Sequence, residues 1–327
     1  MKLKKEVLKL LKESNTYLSG QDLCERFGVS RTAVWKVIRQ LEEEGYQIEA
    51  VRNKGYHFID SCDIMTKTEI ESCIRGSFGK RIEFYPSIDS TNITAKHLAE
   101  DGAEAGTLVI SDCQNAGRGR RGRNWISPPD KNIFMSLILR PDIPPVNASM
   151  LTLVAALAVH DGIEMETGLP CMIKWPNDLV SGGKKVCGIL TEMSTELMAI
   201  HYVVVGIGIN VNQEEFPKEL EKNAVSLFLE TGKPVRRSHL VAAIMESFEH
   251  YYLEFISQGN LSGLISLYNK HMVNLGNEVL VLDPTGEYKG TSLGINEKGE
   301  LLVELSDGEI KKVNSGEVSI RGIYGYV

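Results

Sequence analysis

The chain has 327 residues, 43% hydrophobic and 24% charged, with a net charge of −7. That length allows two or three domains with ample material for a core, and the composition is that of a globular protein. An acidic total excludes nucleic-acid binding through the overall field, so any such contact must come from a local basic patch. Cys24, Cys62, Cys73, Cys113, Cys171 and Cys187 are scattered with no Cys-x-x-Cys pair. This argues against a zinc site or a disulfide framework and for a reducing, cytoplasmic setting. No signal peptide is visible. The most apolar run, Met150 to Val159, is too short to span a bilayer, so no membrane association is expected.

In chain order, Leu3, Val7, Leu10 and Leu11 define one face of a first helix. Ser19 caps a second helix, with Asp22 as a capping-box acid and Leu23 and Phe27 as its buried side. After the turn Gly28-Val29-Ser30, Ser30 caps a third helix whose buried stripe is Val34, Ile38 and Leu41. Its other face carries Arg31, Thr32, Trp35, Lys36 and Arg39, and no acid occurs from Arg26 to Leu41. Helix, short glycine-containing turn, then basic helix is the helix-turn-helix pattern, which presents its second helix to the major groove. Ile48 to Phe58 predicts a hairpin wing with Arg52 and Lys54 at a basic tip that can touch phosphates. Trp35 either meets DNA or folds back on its own module. A small protein-interaction domain with a solvated basic face is the competing explanation.

The centre opens with a short helix over Thr66 to Ile74 and a strand over Ile82 to Ile88. Ser90, Thr91 and Asn92 then precede a helix running through Leu98, where they either cap it or face a polar ligand. Thr107 to Ser111 and Ile133 to Leu139 are strand candidates, and Met150 to Glu166 is a helix apolar nearly all round.

Between those strands lies Gly117-Arg118-Gly119-Arg120-Arg121-Gly122-Arg123-Asn124-Trp125. Glycine lets backbone approach a ligand, arginine offers a permanently charged planar fork, and tryptophan gives a flat face. These suit a loop that gathers two mutually repelling anions beside an aromatic platform. A solvated basic loop or an RNA-binding arginine–glycine patch has the same composition.

Lys174-Trp175-Pro176-Asn177-Asp178 ends a strand at a proline and presents an amide and a carboxylate. Gly182-Gly183-Lys184-Lys185 is a hairpin turn, and a lysine there would neutralise charge building up near the arginine loop. Tyr202 to Val205 is a strand ending in Gly206-Ile207-Gly208-Ile209-Asn210. The third glycine of a dinucleotide fingerprint is missing, so a Rossmann domain is rejected. The glycines let backbone approach a ligand, with Asn210 able to donate and accept at a base edge. Val211 to Asn223 is expected to be a polar lid, and His239 to Phe255 a long helix. Four alternating strands between Glu278 and Val313 predict a small SH3-like β-barrel.

The order and spacing of the Arg/Gly loop, Lys174–Asp178 and Gly206-x-Gly-x-Asn210 make the whole chain resemble the bifunctional biotin–protein ligases that also repress a biotin operon. The resemblance implies an α+β chain: a winged helix-turn-helix over 1–65, a mixed-sheet catalytic domain of the class II synthetase-like type over 66–273, and the β-barrel over 274–327. It implies biotin, ATP and Mg²⁺ as ligands, with biotinyl-5′-AMP as intermediate and corepressor. Implied partners are the biotin carboxyl carrier protein of acetyl-CoA carboxylase, a palindromic operator, and a second copy of the chain when the adenylate is bound. It places Ser90, Thr91, Asn92 and Gln114 on biotin's head group, and Arg118, Gly119, Arg120 and Lys185 on the carboxylate–phosphate junction. Lys185 is preferred to Lys184 by its spacing from Val186-Cys187-Gly188. Asp178 orients the metal or the incoming lysine. Arg121 and Arg123 serve pyrophosphate or keep the intermediate from leaking, Trp125 stacks on adenine, and Asn210 holds the adenine edge. No metal ligands are visible. Thr191 to Glu196 is the implied dimer strand. Two other classes compete: a repressor that only senses a small molecule, and a lipoate-type ligase, which needs no winged helix.

Overall fold

The computed structural model of the chain describes residues 2–61, 63–196, 199–283, 286–314 and 319–322; Cys62 lies outside them. The first module holds α1 (Lys2–Glu13), α2 (Gly20–Phe27), α3 (Arg31–Glu43) and the antiparallel pair β1 (Tyr46–Val51) and β2 (Gly55–Ser61). Ser19 and Ser30 accept from the amides of Asp22 and Ala33, capping α2 and α3. Val7, Leu8, Leu11, Leu23, Val34, Ile38, Leu41 and Tyr46 form its core. Leu8 joins Val7 and Leu11 in the buried face of α1, and the expected Leu3 and Leu10 pack against it partly buried.

The centre comprises α4 (Lys67–Cys73), β3 (Arg81–Tyr85), α5 (Thr91–Glu100), β4 (Thr107–Ser111), β5 (Ile133–Leu139), α6 (Met150–Thr167), β6 (Met172–Lys174), β7 (Asp178–Ser181), β8 (Lys184–Glu196), β9 (Ala199–Ile209), α7 (Leu227–Thr231), α8 (Arg237–Gln258) and α9 (Ile265–His271). Its seven-stranded sheet runs β3-β4-β5-β9-β8-β7-β6. Only β3 and β4 are parallel. The strand expected to reach Ile88 stops at Tyr85, because Pro86 cannot donate to the ladder. The strand expected to end at Val205 instead carries its ladder through Gly206 and Gly208 to Ile209.

α5 covers one sheet face through Ala95, Ala99, Val109, Ile138 and Val204. α6 covers the other and packs along α8. Each fully buried Leu, Val or Ile of α6 contributes about 1.5–3 kcal/mol, and Leu157→Ala would cost about 2–5 kcal/mol. Among the described residues, Pro145–Thr167 is the one helix long and apolar enough to cross a bilayer, and it is mostly buried inside the protein.

The C-terminal sheet is antiparallel in the order β13-β12-β11-β10-β14. Its strands are β10 (Glu278–Leu282), β11 (Tyr288–Ile295), β12 (Leu301–Glu304), β13 (Ile310–Val313) and β14 (Ser319–Gly322). The strand pattern up to Val313 gave four of these; β14 is a fifth, paired with β10.

Buried polar contacts tie the three parts together. Trp175 Nε1 donates to the Gly299 carbonyl (3.0 Å). Glu69 on α4, 1% exposed, accepts from Tyr46 Oη (2.6 Å) and pairs with Lys12. Arg237, 2% exposed, binds Asp63 (2.6 Å) and Asp112 (2.8 Å). Asn212 Nδ2 also donates to Asp63 (2.7 Å).

Candidate active site and nucleic-acid interface

The site is built on the middle of β8 and β9, where Gly188, Gly206 and Gly208 leave bare backbone. A methyl on Gly206 would sit 2.0 Å from Asn92 Oδ1, and one on Gly208 2.7 Å from the Trp125 ring. A methyl on Gly188 would lie 2.9 Å from both Lys185 and Trp125. The strand glycines therefore admit side chains from outside the sheet onto its surface. Gly206 and Gly208 are the glycines expected to let backbone approach a ligand; Gly188, quoted only as a spacing marker beside Lys185, was given no role.

The arginine loop closes on itself. Gly119 N donates to Arg123 O (2.7 Å), Trp125 N donates to Gly117 O (2.9 Å), and Arg118 bridges Asn124. Arg121 holds φ +57° at its tip, a left-handed conformation costing about 1–2 kcal/mol for a non-glycine residue. Arg118, Arg121 and Arg123 are exposed, whereas Arg120 turns inward and donates to Asn177 Oδ1 (2.9 Å). Burial pulls the Arg120 guanidinium below its usual value; Asp178 opposes this, and Arg121 and Arg123 add to it.

Asn177 also donates to Asp178 Oδ1 (3.0 Å) and to the Ile189 carbonyl (3.1 Å). Lys185 Nζ lies 2.7 Å from Asp178 Oδ1 and 5.2 Å from the centre of the Trp125 ring. Of the two adjacent lysines, Lys185 enters this cluster, while Lys184 pairs with Ser181 at the hairpin end. Arg120, Asp178, Lys185 and Trp125, far apart in sequence, thus meet through Asn177, a residue quoted with its motif but given no role.

The small polar residues assemble on the other side of the glycine floor. Ser90 precedes α5 but makes no side-chain cap, and it is 3% exposed, so the capping explanation does not hold for it. Thr91 N donates to Gln114 Oε1 (2.9 Å), and Gln114 Nε2 donates to Ser127 Oγ (3.0 Å). Ser136 Oγ on β5 lies 2.8 Å from Thr91 Oγ1 and 2.6 Å from Asn92 Oδ1. Asn92 Nδ2 donates to Glu192 Oε2 (2.8 Å), and Lys96 pairs with Glu192 Oε1 (2.8 Å). Burial raises the Glu192 carboxyl, but hydrogen bonds from Lys96 and Asn92 and the charges of Lys96 and Arg118 outweigh it and leave the group below its usual value. Ser136 and Glu192 escaped sequence reasoning, since a lone serine or glutamate within a strand carries no signal.

Two cavities meet here. One of about 50 Å³ is lined by Ser90, Thr91, Asn92, Gln114, Arg118 and the strand glycines. A second of about 290 Å³ is lined by Arg121, Arg123, Asp178, Asn210, Phe216 and Leu220. Gly119, Arg120, Trp125 and Lys185 border both. Trp125 lies between them, with its Nε1 buried and without a hydrogen-bond partner. Asn210 is 5% exposed, and its Nδ2 points to the carbonyls of Lys185 (3.4 Å) and Val225 (3.3 Å). Its donor is therefore committed to the fold and its oxygen remains for a ligand, which corrects the two-way base contact. Val211, Asn212 and Gln213 of the expected lid are buried.

On the first module, Arg31, Thr32, Trp35, Lys36 and Arg39 all lie on the exposed face of α3. Trp35 is 54% exposed and lies 6.0 Å from the Arg39 guanidinium, so it does not fold back. Arg31 donates to Gln21 (3.0 Å), which steadies it across the turn. The oxygen of Ser30 serves the cap. Arg52 and Lys54 are exposed at the hairpin tip, and Lys54 Nζ lies 5.7 Å from the Tyr17 ring.

A winged helix-turn-helix, a cation-lined pair of cavities on a mixed sheet, and an antiparallel β-domain define a ligase-type catalytic domain that carries a DNA-reading head. Comparison with known families agrees, domain by domain. Residues 4–57 match an HTH domain, 84–210 the Biotin/lipoate A/B protein ligase family, and 275–321 the Biotin protein ligase C terminal domain. The chain is 40% identical to the bifunctional ligase/repressor BirA of Bacillus subtilis (strain 168), over 97% of this chain and 98% of that one. It is 30% identical to the protein of the same name from Escherichia coli (strain K12), over 93% and 92%. A solved biotin protein ligase from Aquifex aeolicus, in complex with biotin and ATP, superposes with a TM-score of 0.66 at 33% identity, covering 74% of this chain and 99% of that one. The chain belongs to the family of bifunctional biotin ligase/repressors.

Proposed function

We propose that this chain is a biotin–protein ligase that makes biotinyl-5′-AMP from biotin and ATP and transfers biotin to a lysine of a biotin carboxyl carrier protein. In its adenylate-bound dimeric form it represses genes of biotin biosynthesis or transport. The observation that carries the reading is the meeting of Arg120, Lys185, Asp178 and Trp125 where two cavities join. The working units are 1–65 for DNA, 66–273 for chemistry and 274–327 beside the acceptor, all in the cytoplasm.

The small cavity takes biotin's cyclic urea, held by Ser90, Thr91, Asn92 and Gln114. The large cavity takes the nucleotide, with adenine against Trp125 and its amino group donating to Asn210 Oδ1. Biotin's ring system exceeds the small cavity as it stands, so Trp125 moves off the glycine floor when biotin enters. Biotin's carboxylate then attacks the α-phosphate and pyrophosphate leaves. Arg118, Arg120 and Lys185 hold the two anions together and stabilise the charge that develops. Arg121 and Arg123 receive pyrophosphate. The mixed anhydride is protected from water by the loop until the acceptor lysine attacks its carbonyl and AMP departs. Asp178, paired with Lys185, is the carboxylate available to orient that amine.

Asp178 is also the only carboxylate among the described residues lining the larger cavity. That donor set fits Mg²⁺ held largely by phosphate oxygens and water, as is usual for this ion. When bound it would shield the triphosphate's charge.

For dimerisation, β7 pairs with β8 only as far as Gly188, so Thr191 to Glu196 has β9 on one side and, among the described residues, no strand on the other. Strand-to-strand pairing of two copies along this edge would set two heads at a fixed spacing on a palindrome.

The test is to incubate the chain with ATP, Mg²⁺, biotin and a carrier domain and to weigh the carrier. A biotin mass increment with biotin-dependent ATP–pyrophosphate exchange supports the reading. No exchange points to a sensor-only repressor, and exchange with lipoate instead points to a lipoate-type ligase.

A further inference from the structure

Glu192 lies on β8 and touches neither cavity's mouth, yet it ends a chain of polar contacts that reaches the pocket wall. The direction of every proton in that chain follows from the partners. Asn92 Nδ2 faces two pure acceptors, the Glu192 carboxylate (2.8 Å) and the Leu190 carbonyl (3.3 Å), so the amide has one orientation. Its Oδ1 must accept, and Ser136 Oγ, 2.6 Å away, supplies the proton.

A hydroxyl has one proton, so Ser136 has none left for Thr91 Oγ1 at 2.8 Å. Thr91 must then donate to Ser136. The alternative gives Ser136's proton to Thr91 and leaves two bare oxygens 2.6 Å apart at Asn92. The chosen direction leaves the proton-free contact at Thr91 Oγ1 and Gln114 Oε1, which are 3.2 Å apart and repel less. Gln114 Oε1 is satisfied by the Thr91 amide at 2.9 Å. Thr91 Oγ1 therefore meets a ligand with lone pairs only.

We infer that Glu192 is a positioning residue that fixes the direction of donation along Asn92, Ser136 and Thr91, and thereby makes the small cavity select a ligand N–H over an ether or ester oxygen. Lys96 holds the far oxygen of Glu192 and keeps it ionised and in place. This rests on the reading that the small cavity takes biotin's cyclic urea, and it names how that ring is told from an oxygen isostere.

The test uses the full chain and three probes: biotin and the two cyclic carbamates in which one or the other ureido N–H is replaced by oxygen. The readout is the ratio of each carbamate's Kd to that of biotin. The wild-type chain should disfavour one carbamate by at least about 100-fold, because a pocket built for N–H leaves its acceptor unmet, with lone pairs facing the new oxygen. Glu192→Ala removes the closer of the two acceptors that orient Asn92 and leaves only the longer contact to the Leu190 carbonyl, so the amide can turn and Thr91 can donate, and the ratio should compress to about tenfold or less. Glu192→Gln keeps an oxygen for Asn92 and should hold the ratio within about threefold of wild type. Ser136→Ala breaks the relay without touching Glu192 or Lys96 and should compress the ratio as Glu192→Ala does, whether or not the latter folds. A Glu192→Ala or Ser136→Ala chain that binds all three probes more weakly by the same factor overturns the inference, because it shows a structural role only. Wild-type chain that binds none of the probes overturns the functional reading beneath it.

Discussion

Lys185 Nζ stands 2.7 Å from Asp178 Oδ1 and 5.2 Å from the centre of the Trp125 ring. One ammonium therefore stands beside the carboxylate and the ring where the two cavities join, and it borders both, as Arg120 does. Lys185→Ala should lower biotin-dependent ATP–pyrophosphate exchange by about 10²–10³, the usual effect of removing one preorganised donor. Exchange within threefold of wild type would remove Lys185 from the reaction.

Arg120 is half-buried and donates inward to Asn177. Arg120→Ala should still bind biotin but form the adenylate slowly or release it early. Gel filtration of the reacted protein, counting adenylate that co-elutes, reads this directly. Normal retention and rate would contradict the assignment.

Trp125→Ala should raise the KM for ATP more than that for biotin, because the ring it removes is the one proposed to stack on adenine. If Trp125 leaves the glycine floor when biotin enters, wild-type fluorescence should change on adding biotin alone. Trp125→Phe should lose that signal, since Trp175 is buried elsewhere and Trp35 lies on the first module.

On the DNA face, Arg31→Ala should weaken operator binding and leave ligation intact. If Arg31 meets a phosphate, the salt dependence of binding should flatten by about one unit of slope. If it meets a base, the loss should concentrate on the cognate sequence, about 1–3 kcal/mol.

His239 on α8 gives a pH prediction. Burial pulls it below its ordinary value of 6.5, with Lys12 and Arg236 adding to the effect and Glu166 and Glu69 opposing it. The unfolded chain then binds that proton more readily than the folded one, so stability is highest above the unfolded value and falls as pH drops below it. Thermal midpoints should decrease between about pH 7.5 and pH 5.5, and His239→Gln should flatten the decrease.

The sequence carried whatever has a local signature. The helix-turn-helix, its caps and its basic face follow from periodicity and from Ser19 and Ser30, and α3 presents the expected side chains. The arginine loop stood out by composition, and the three stretches that meet at Lys185 were recognised by order and spacing. What escaped depends on register across strands. Gly206 and Gly208 were legible as glycines open to a ligand, but not that the ladder continues through them so that their missing side chains make the floor. Ser136 matters because β5 places it opposite α5, and Glu192 because β8 pairs along β9. The donor of Asn210 turned out to be held by two carbonyls, a fact fixed by the path of Lys185 and Val225.

Arg237 bears on how the two activities are joined. Its buried guanidinium is neutralised by one carboxylate from the strap behind the DNA-reading head, Asp63, and one from the strand end just before the arginine loop, Asp112. Severing the head after residue 62 would keep this charge compensated, whereas severing it after residue 65 would remove Asp63 and halve its compensation; either cut strips Glu69 of Tyr46 and Lys12. The cut site thus decides only whether Arg237 keeps both its carboxylates; any removal of the head leaves the buried Glu69 without its two partners, and the head is as much a keystone of the ligase as a passenger on it.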